Sequence, residues 1–163
     1  MTTSIVFFSM SKLLTRRKFV TTATIAVVGL SGCIGDDDDE EYNFEDQPED
    51  VTLSFVSPED GATVQSPVEF VISVEGADLV PAGENVVGAG HLHLLVDHDF
   101  YDRGEVIPGP SAESEEDGIY HWSDARTEST LELEPGEYTI GVQIADGAHR
   151  AFGGTDQITI TVE

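Results

Sequence analysis

Apolar residues are distributed in two ways along this chain of 163 residues. Near the N-terminus they form one nearly unbroken run, Ala23 to Leu30; from Val51 onward they recur at every second position in short bursts. The run is far short of the roughly 20 apolar residues that a membrane-spanning helix needs. The alternating bursts mark half-buried β-strands. They cover Val51–Val56, Val68–Val74, Gly90–Asp97, Ile119–Trp122, Thr130–Leu133, Tyr138–Ile144 and Ile158–Val162. Turn residues punctuate them, as in Ser57-Pro58-Glu59-Asp60-Gly61 and Glu134-Pro135-Gly136-Glu137, with Gly153-Gly154 expected in a turn before the last strand. A longer connection rich in Gly, Pro and acidic residues spans 98–118, and helix signals are almost absent after the N-terminal run. About seven short strands in roughly a hundred residues predict an all-β fold, an immunoglobulin-like β-sandwich over 51–163.

The flanks of the apolar run explain it. Thr15-Arg16-Arg17-Lys18-Phe19-Val20 reads as a twin-arginine export motif, with Arg16 and Arg17 its central pair, and Leu30-Ser31-Gly32-Cys33 reads as a lipobox. A basic segment, an apolar segment and small residues before a cysteine are the parts of a lipoprotein signal peptide. A buried N-terminal helix would leave Arg16, Arg17 and Lys18 unexplained. Residues 1–32 are therefore expected to be the signal, with translation starting at Met1 or at Met10. Cys33 is the expected lipidation site, holding the protein at the cell membrane on its extracellular side. It is also the only cysteine in the chain, which excludes an intramolecular disulfide.

Charge follows the same division. All 32 acidic residues lie after Cys33, while four of the seven basic residues precede it. The mature chain keeps only Arg103, Arg126 and Arg150, has no Lys, and carries a formal charge of −29. Such a surface repels itself in low salt and is screened at high salt. Its composition resembles that of proteins from salt-loving archaea. No basic patch exists to neutralise phosphates, so nucleic acid is excluded as an expected partner. Residues 34–50 include the run Asp36 to Glu41 and read as a disordered acidic tether. Its seventeen residues, fully extended, would reach about 55–60 Å. The run has no turn glycine at calcium-loop spacing, and Asp97, Asp99, Asp102 and Glu105 match no EF-hand series, so both read as solvated acidic segments.

All five histidines fall after residue 90. His91 and His93 are two apart, so on a strand their side chains leave the same face, as two imidazoles on one metal would. If the strand at 90–97 pairs antiparallel with that at 138–144, His149 arrives near both. His121 on the short strand at 119–122 would complete the group. The alternatives are that His91 and His93 face outward at an edge, with Leu92, Leu94 and Val96 in the core, or that the imidazoles bond to Asp97 or Asp146. Imidazole ligands favour Cu(II) or Zn(II) over Mg²⁺ or Ca²⁺. A thioether or thiolate copper site is excluded, since no Met follows Met10 and Cys33 is committed to the lipid.

Several stretches together resemble a known family. They are Gly90-His91-Leu92-His93-Leu94-Leu95-Val96-Asp97, His121-Trp122 with Thr127, Leu133-Glu134-Pro135-Gly136, and Asp146-Gly147-Ala148-His149. In order and spacing they are similar to domain-of-unknown-function family 4399. The resemblance places His91, His93, Asp97, His121, Thr127 and His149 at matching positions. Leu92, Ala125-Arg126 and Tyr138 depart from the family pattern, which has His, Gly-Gln and His there. The family implies no activity.

No Gly-x-Ser-x-Gly elbow, H-E-x-x-H pair or phosphate-cradling loop is present. The sequence thus predicts a lipid-anchored, non-catalytic binding module outside the cytoplasm, touching the membrane through Cys33 and having no identified protein partner. Its candidate metal ligands are His91, His93, His121 and His149. The alternative is a structural or adhesion-type surface domain whose histidines pack without metal.

Overall fold

Every second residue of Val68–Glu75 is sunk into the protein: Val68, Phe70 and Ile72 are buried while Glu69, Ser73 and Glu75 are exposed. This alternation, repeated in most strands, sorts the chain into two sheets facing one apolar core. The computed structural model describes residues 41–163. Arg16, Arg17, the apolar run, Cys33 and the acidic residues through 40 lie outside the described residues.

Among the described residues nine strands are formed: β1 (Thr52–Ser57), β2 (Thr63–Val64), β3 (Val68–Glu75), β4 (Asp78–Leu79), β5 (Ala89–Val96), β6 (Ile119–Trp122), β7 (Glu128–Leu131), β8 (Gly136–Ala145) and β9 (Ala151–Val162). One sheet has the order β1-β3-β7 and is antiparallel. The other runs β2-β9-β8-β5-β4, with β6 also pairing to β5. The predicted all-β sandwich is therefore present, with two more strands than the seven expected. The additions, β2 and β4, are two-residue pairings parallel to β9 and β5, too short to leave a period in the sequence. The expected turn at Gly153-Gly154 is instead the interior of β9, where the glycines let that strand pass close against Val51.

The main core joins Leu53, Phe70 and Ile72 of the small sheet to Leu92, Leu94, Trp122, Ile140, Val142, Ile144, Ile158 and Ile160 of the large one. Truncating a fully buried aromatic such as Phe70 to Ala costs about 3–5 kcal/mol in cores of this kind. The large sheet is covered on its other face as well. The connection 98–118, which includes a short helix α1 (Ala112–Glu116), lies over it. Leu95, Ile107, Ile119, Ala145 and Ala151 form a second apolar cluster there, with Phe100 and Tyr101 against it. Gln143 clamps the connection to β8, accepting from Tyr101 N at 3.0 Å and donating to Tyr101 O at 2.7 Å. Gly141 leaves the space that Phe100 fills, since a Cβ there would meet the Phe100 ring at 2.8 Å. Every residue of β5 from Ala89 to Leu95 is consequently buried.

The expected tether also changes. Tyr42 to Asp50 was predicted as part of the disordered segment, yet it folds onto the domain through a 3-10 turn at Phe44–Asp46. Buried Gln47 donates to Val86 O (3.0 Å) and accepts from Gly88 N (2.9 Å). Arg103 and Arg150 lie over the Phe44 ring at 5.1 and 4.7 Å. Three side chains with something to bury, Tyr42, Phe44 and Gln47, overcome the local acidity.

Candidate metal centre

Strand β5 presents Leu92 and Leu94 to the main core and His91 and His93 to the opposite face, beneath the 98–118 connection. In register, His93 stands opposite His121 of β6 on one side and Gln143 of β8 on the other, while His91 stands opposite Ala145. The small side chain of Ala145 leaves room over His91. The hairpin from β8 to β9 then brings His149 over the same spot. Donor atoms of His91, His93, His121 and His149 all lie within 4.8 Å of one another. His121 Nε2 and His91 Nε2 are 2.9 Å apart, so one of the two donates a proton to the other.

The hairpin is a built object. His149 has φ 65°, a left-handed conformation uncommon for a residue with a Cβ. It is held there from both sides: its N–H donates to Asp146 O (2.9 Å) and its carbonyl accepts from Ile107 N (2.8 Å). The Asp146 carboxylate, fully buried, accepts from Ala148 N and Arg150 N on one oxygen and from Tyr42 Oη (2.6 Å) and Arg150 Nε (2.9 Å) on the other. A Cβ at Gly109 would meet His149 Cε1 at 3.0 Å, so the glycine lets the connection close over the ring.

His91 and His93 are fully buried; His121 and His149 form the partly exposed side of the cluster. Burial, reinforced by the neighbouring His121 and His149 and partly opposed by Asp146, pushes the His91 pKa down to about 3. Burial followed by the same cluster holds His93 well below the usual histidine range, and burial with His149 brings His121 to about 4. At neutral pH these three rings are uncharged and each carries one lone pair, one of which accepts the bond between His91 and His121. Four buried ring nitrogens, His91 Nδ1, both of His93 and His121 Nδ1, have no hydrogen-bond partner among the described residues. A buried polar atom left so costs about 1–3 kcal/mol. The residues present therefore suit a metal ion, which would take one lone pair from each ring and replace the bond between His91 and His121.

The four predicted ligands are thus brought together, and neither an outward-facing His91–His93 pair nor a bond from these imidazoles to Asp97 or Asp146 is found. His91 and His93 do not face solvent, because the 98–118 connection supplies a third layer that the alternation in β5 does not reveal. Neither acid bonds to an imidazole: Asp97 accepts from Thr139 N (2.7 Å) and Asp146 is occupied by the hairpin. His98 stays apart, its ring stacked on Tyr101 at 5.3 Å. Sequence reasoning missed the organising role of Asp146. An Asp followed by Gly-Ala-His-Arg is a side-chain-to-backbone turn signature that would have pointed to it.

The sequence model of a domain of unknown function, DUF4399, matches residues 68–163 and so covers every one of these histidines. The chain belongs to the DUF4399 family. A second domain of unknown function, DUF8130, matches residues 14–87 and meets the DUF4399 domain across β3 and β4. No curated protein matches the sequence. Among solved structures, the DUF4399 chain is similar to part of the endo-β-1,4-mannanase from Thermotoga petrophila, at 18% identity and a TM-score of 0.37. That similarity covers 70% of this chain and spans only 20% of the mannanase chain.

Proposed function

We propose that this domain is a non-catalytic metal-binding module, carried outside the cytoplasm on a lipid at Cys33, whose ligands are His91, His93, His121 and His149. The observation that carries the reading is the convergence of four imidazoles, with donor atoms within 4.8 Å, in a cluster where four buried ring nitrogens have no hydrogen-bond partner among the described residues. Imidazole donors suit Zn(II) or Cu(II). A purely packing role for these rings would leave the same nitrogens buried without partners. The export motif and lipobox support the location.

The test is metal analysis of the full chain purified in molar salt, with Zn(II) and Cu(II) titrations of wild type and His93→Ala. One bound ion per chain and affinity lowered at least about tenfold in the variant are expected. No stoichiometric metal, or equal affinity in the variant, overturns the reading.

A further inference from the structure

The four imidazoles have a definite shape. Ring centroids are separated by 4.8 Å (His91–His93), 4.6 Å (His91–His121), 5.0 Å (His91–His149), 4.8 Å (His93–His121), 5.6 Å (His93–His149) and 4.6 Å (His121–His149). Rings arranged in a square cannot be so nearly equidistant, because two of the six separations would be diagonals about 1.4 times the sides. Rings at the corners of a tetrahedron can. The magnitudes agree too. With zinc–nitrogen bonds of about 2.0–2.1 Å, each centroid lies about 3.2 Å from the ion, so a tetrahedral set separates the rings by about 5.2 Å. A square-planar set with similar bonds would put neighbours about 4.5 Å and opposite rings about 6.4 Å apart.

We propose that the centre is a closed, tetrahedral zinc(II) site, an inference that rests on the metal-binding reading above. Zinc has no directional preference of its own and takes the four-coordinate tetrahedral arrangement in closed protein sites. Cu(II) favours a tetragonal plane, which these ligands cannot reach without moving their supports. His91 and His93 are fixed by consecutive pairings of β5, and His121 by its register opposite His93. Flattening the set would have to shift His149, whose backbone is pinned by Asp146 on one side and Ile107 on the other. Four protein donors also fill a tetrahedral ion, leaving no position for water or substrate. The site then links β5, β6 and the β8–β9 hairpin in a chain that has no disulfide to do so.

Cobalt(II) substitution of the full chain reads the geometry directly. Intense visible d–d bands of four-coordinate cobalt, abolished by one equivalent of Zn(II), are expected, and the Cu(II) adduct should give an electron paramagnetic resonance spectrum with the reduced parallel hyperfine coupling of a non-planar site. His149→Gly, which tolerates the positive φ, should weaken zinc binding at least about tenfold and shift the cobalt bands as solvent enters the fourth position. The pale bands of six-coordinate cobalt, a tetragonal Cu(II) spectrum, or a cobalt spectrum unchanged in His149→Gly would each overturn the closed tetrahedral site while leaving metal binding standing. Failure to bind any of the three ions would remove both inferences.

Discussion

At the scale of single residues, the histidines are a cost before they are an asset. His93 is fully buried with neither ring nitrogen bonded, and burial holds its pKa well below the ordinary value. An unfolded histidine titrates near 6.5, whereas His91 and His121 in the folded metal-free chain titrate at about 3 and about 4. Between these values the unfolded state binds more protons, so the contribution of these rings to stability is present above about pH 6.5 and is lost as pH falls toward 4 and below. The expected outcome is a thermal midpoint of the metal-free protein that declines between pH 7 and pH 4. In His91→Leu/His93→Leu the decline should be shallower, because protonation of the many surface carboxylates is common to both proteins. Melting curves across that range check it. The double variant should also match or exceed wild type in the metal-free state at pH 5, since it removes three of the orphaned nitrogens.

At the scale of elements, the organising unit is the hairpin between β8 and β9. Asp146→Asn keeps an oxygen for the backbone donors but loses the charge that faces Arg150, a pair at 2.9 Å whose aspartate is fully buried. Zinc affinity is expected to fall about tenfold, as for other outer-shell groups, with the ligands themselves intact. A calorimetric titration of the variant beside wild type checks this. Much of this level was legible in the sequence. The seven long strands follow from period-two alternation, and the antiparallel pairing of β5 with β8 placed His149 beside His91 and His93. What remained hidden has physical causes. Gly141, Gln143 and Ala145 on β8 give no sign in the sequence of a covered face, since small and polar residues serve a solvated face and a face that seats a covering loop equally well. Gly109 and Ile107 in that loop carry no period at all, because an irregular segment contacts the sheet at isolated points. Asp146 was visible as an acid but not as the hub of a turn.

At the scale of the whole molecule, a single cysteine and a formal charge of −29 after it leave the fold to core packing, salt screening and whatever the histidines bind. A ligand present at about 100 times its dissociation constant adds about 2.7 kcal/mol. For a domain of this size that corresponds to a midpoint raised by roughly 10 °C. Chelation of the metal-loaded protein in molar salt should lower the midpoint by that order and re-addition of zinc should restore it, as scanning calorimetry would show. The strap from Tyr42 to Asp50 bears on something else: how the domain is moored. Those residues belong to the folded body, so with the proposed lipid at Cys33 the line paid out would be eight residues, 34–41, with a maximum length of about 30 Å instead of the 55–60 Å that the acidic segment alone would imply. The mooring point under that proposal would be Tyr42, bonded to Asp146 at the foot of the hairpin that carries His149. A domain leashed at that corner would keep its histidine pole, rather than its far end, within one short cable's length of the lipid surface.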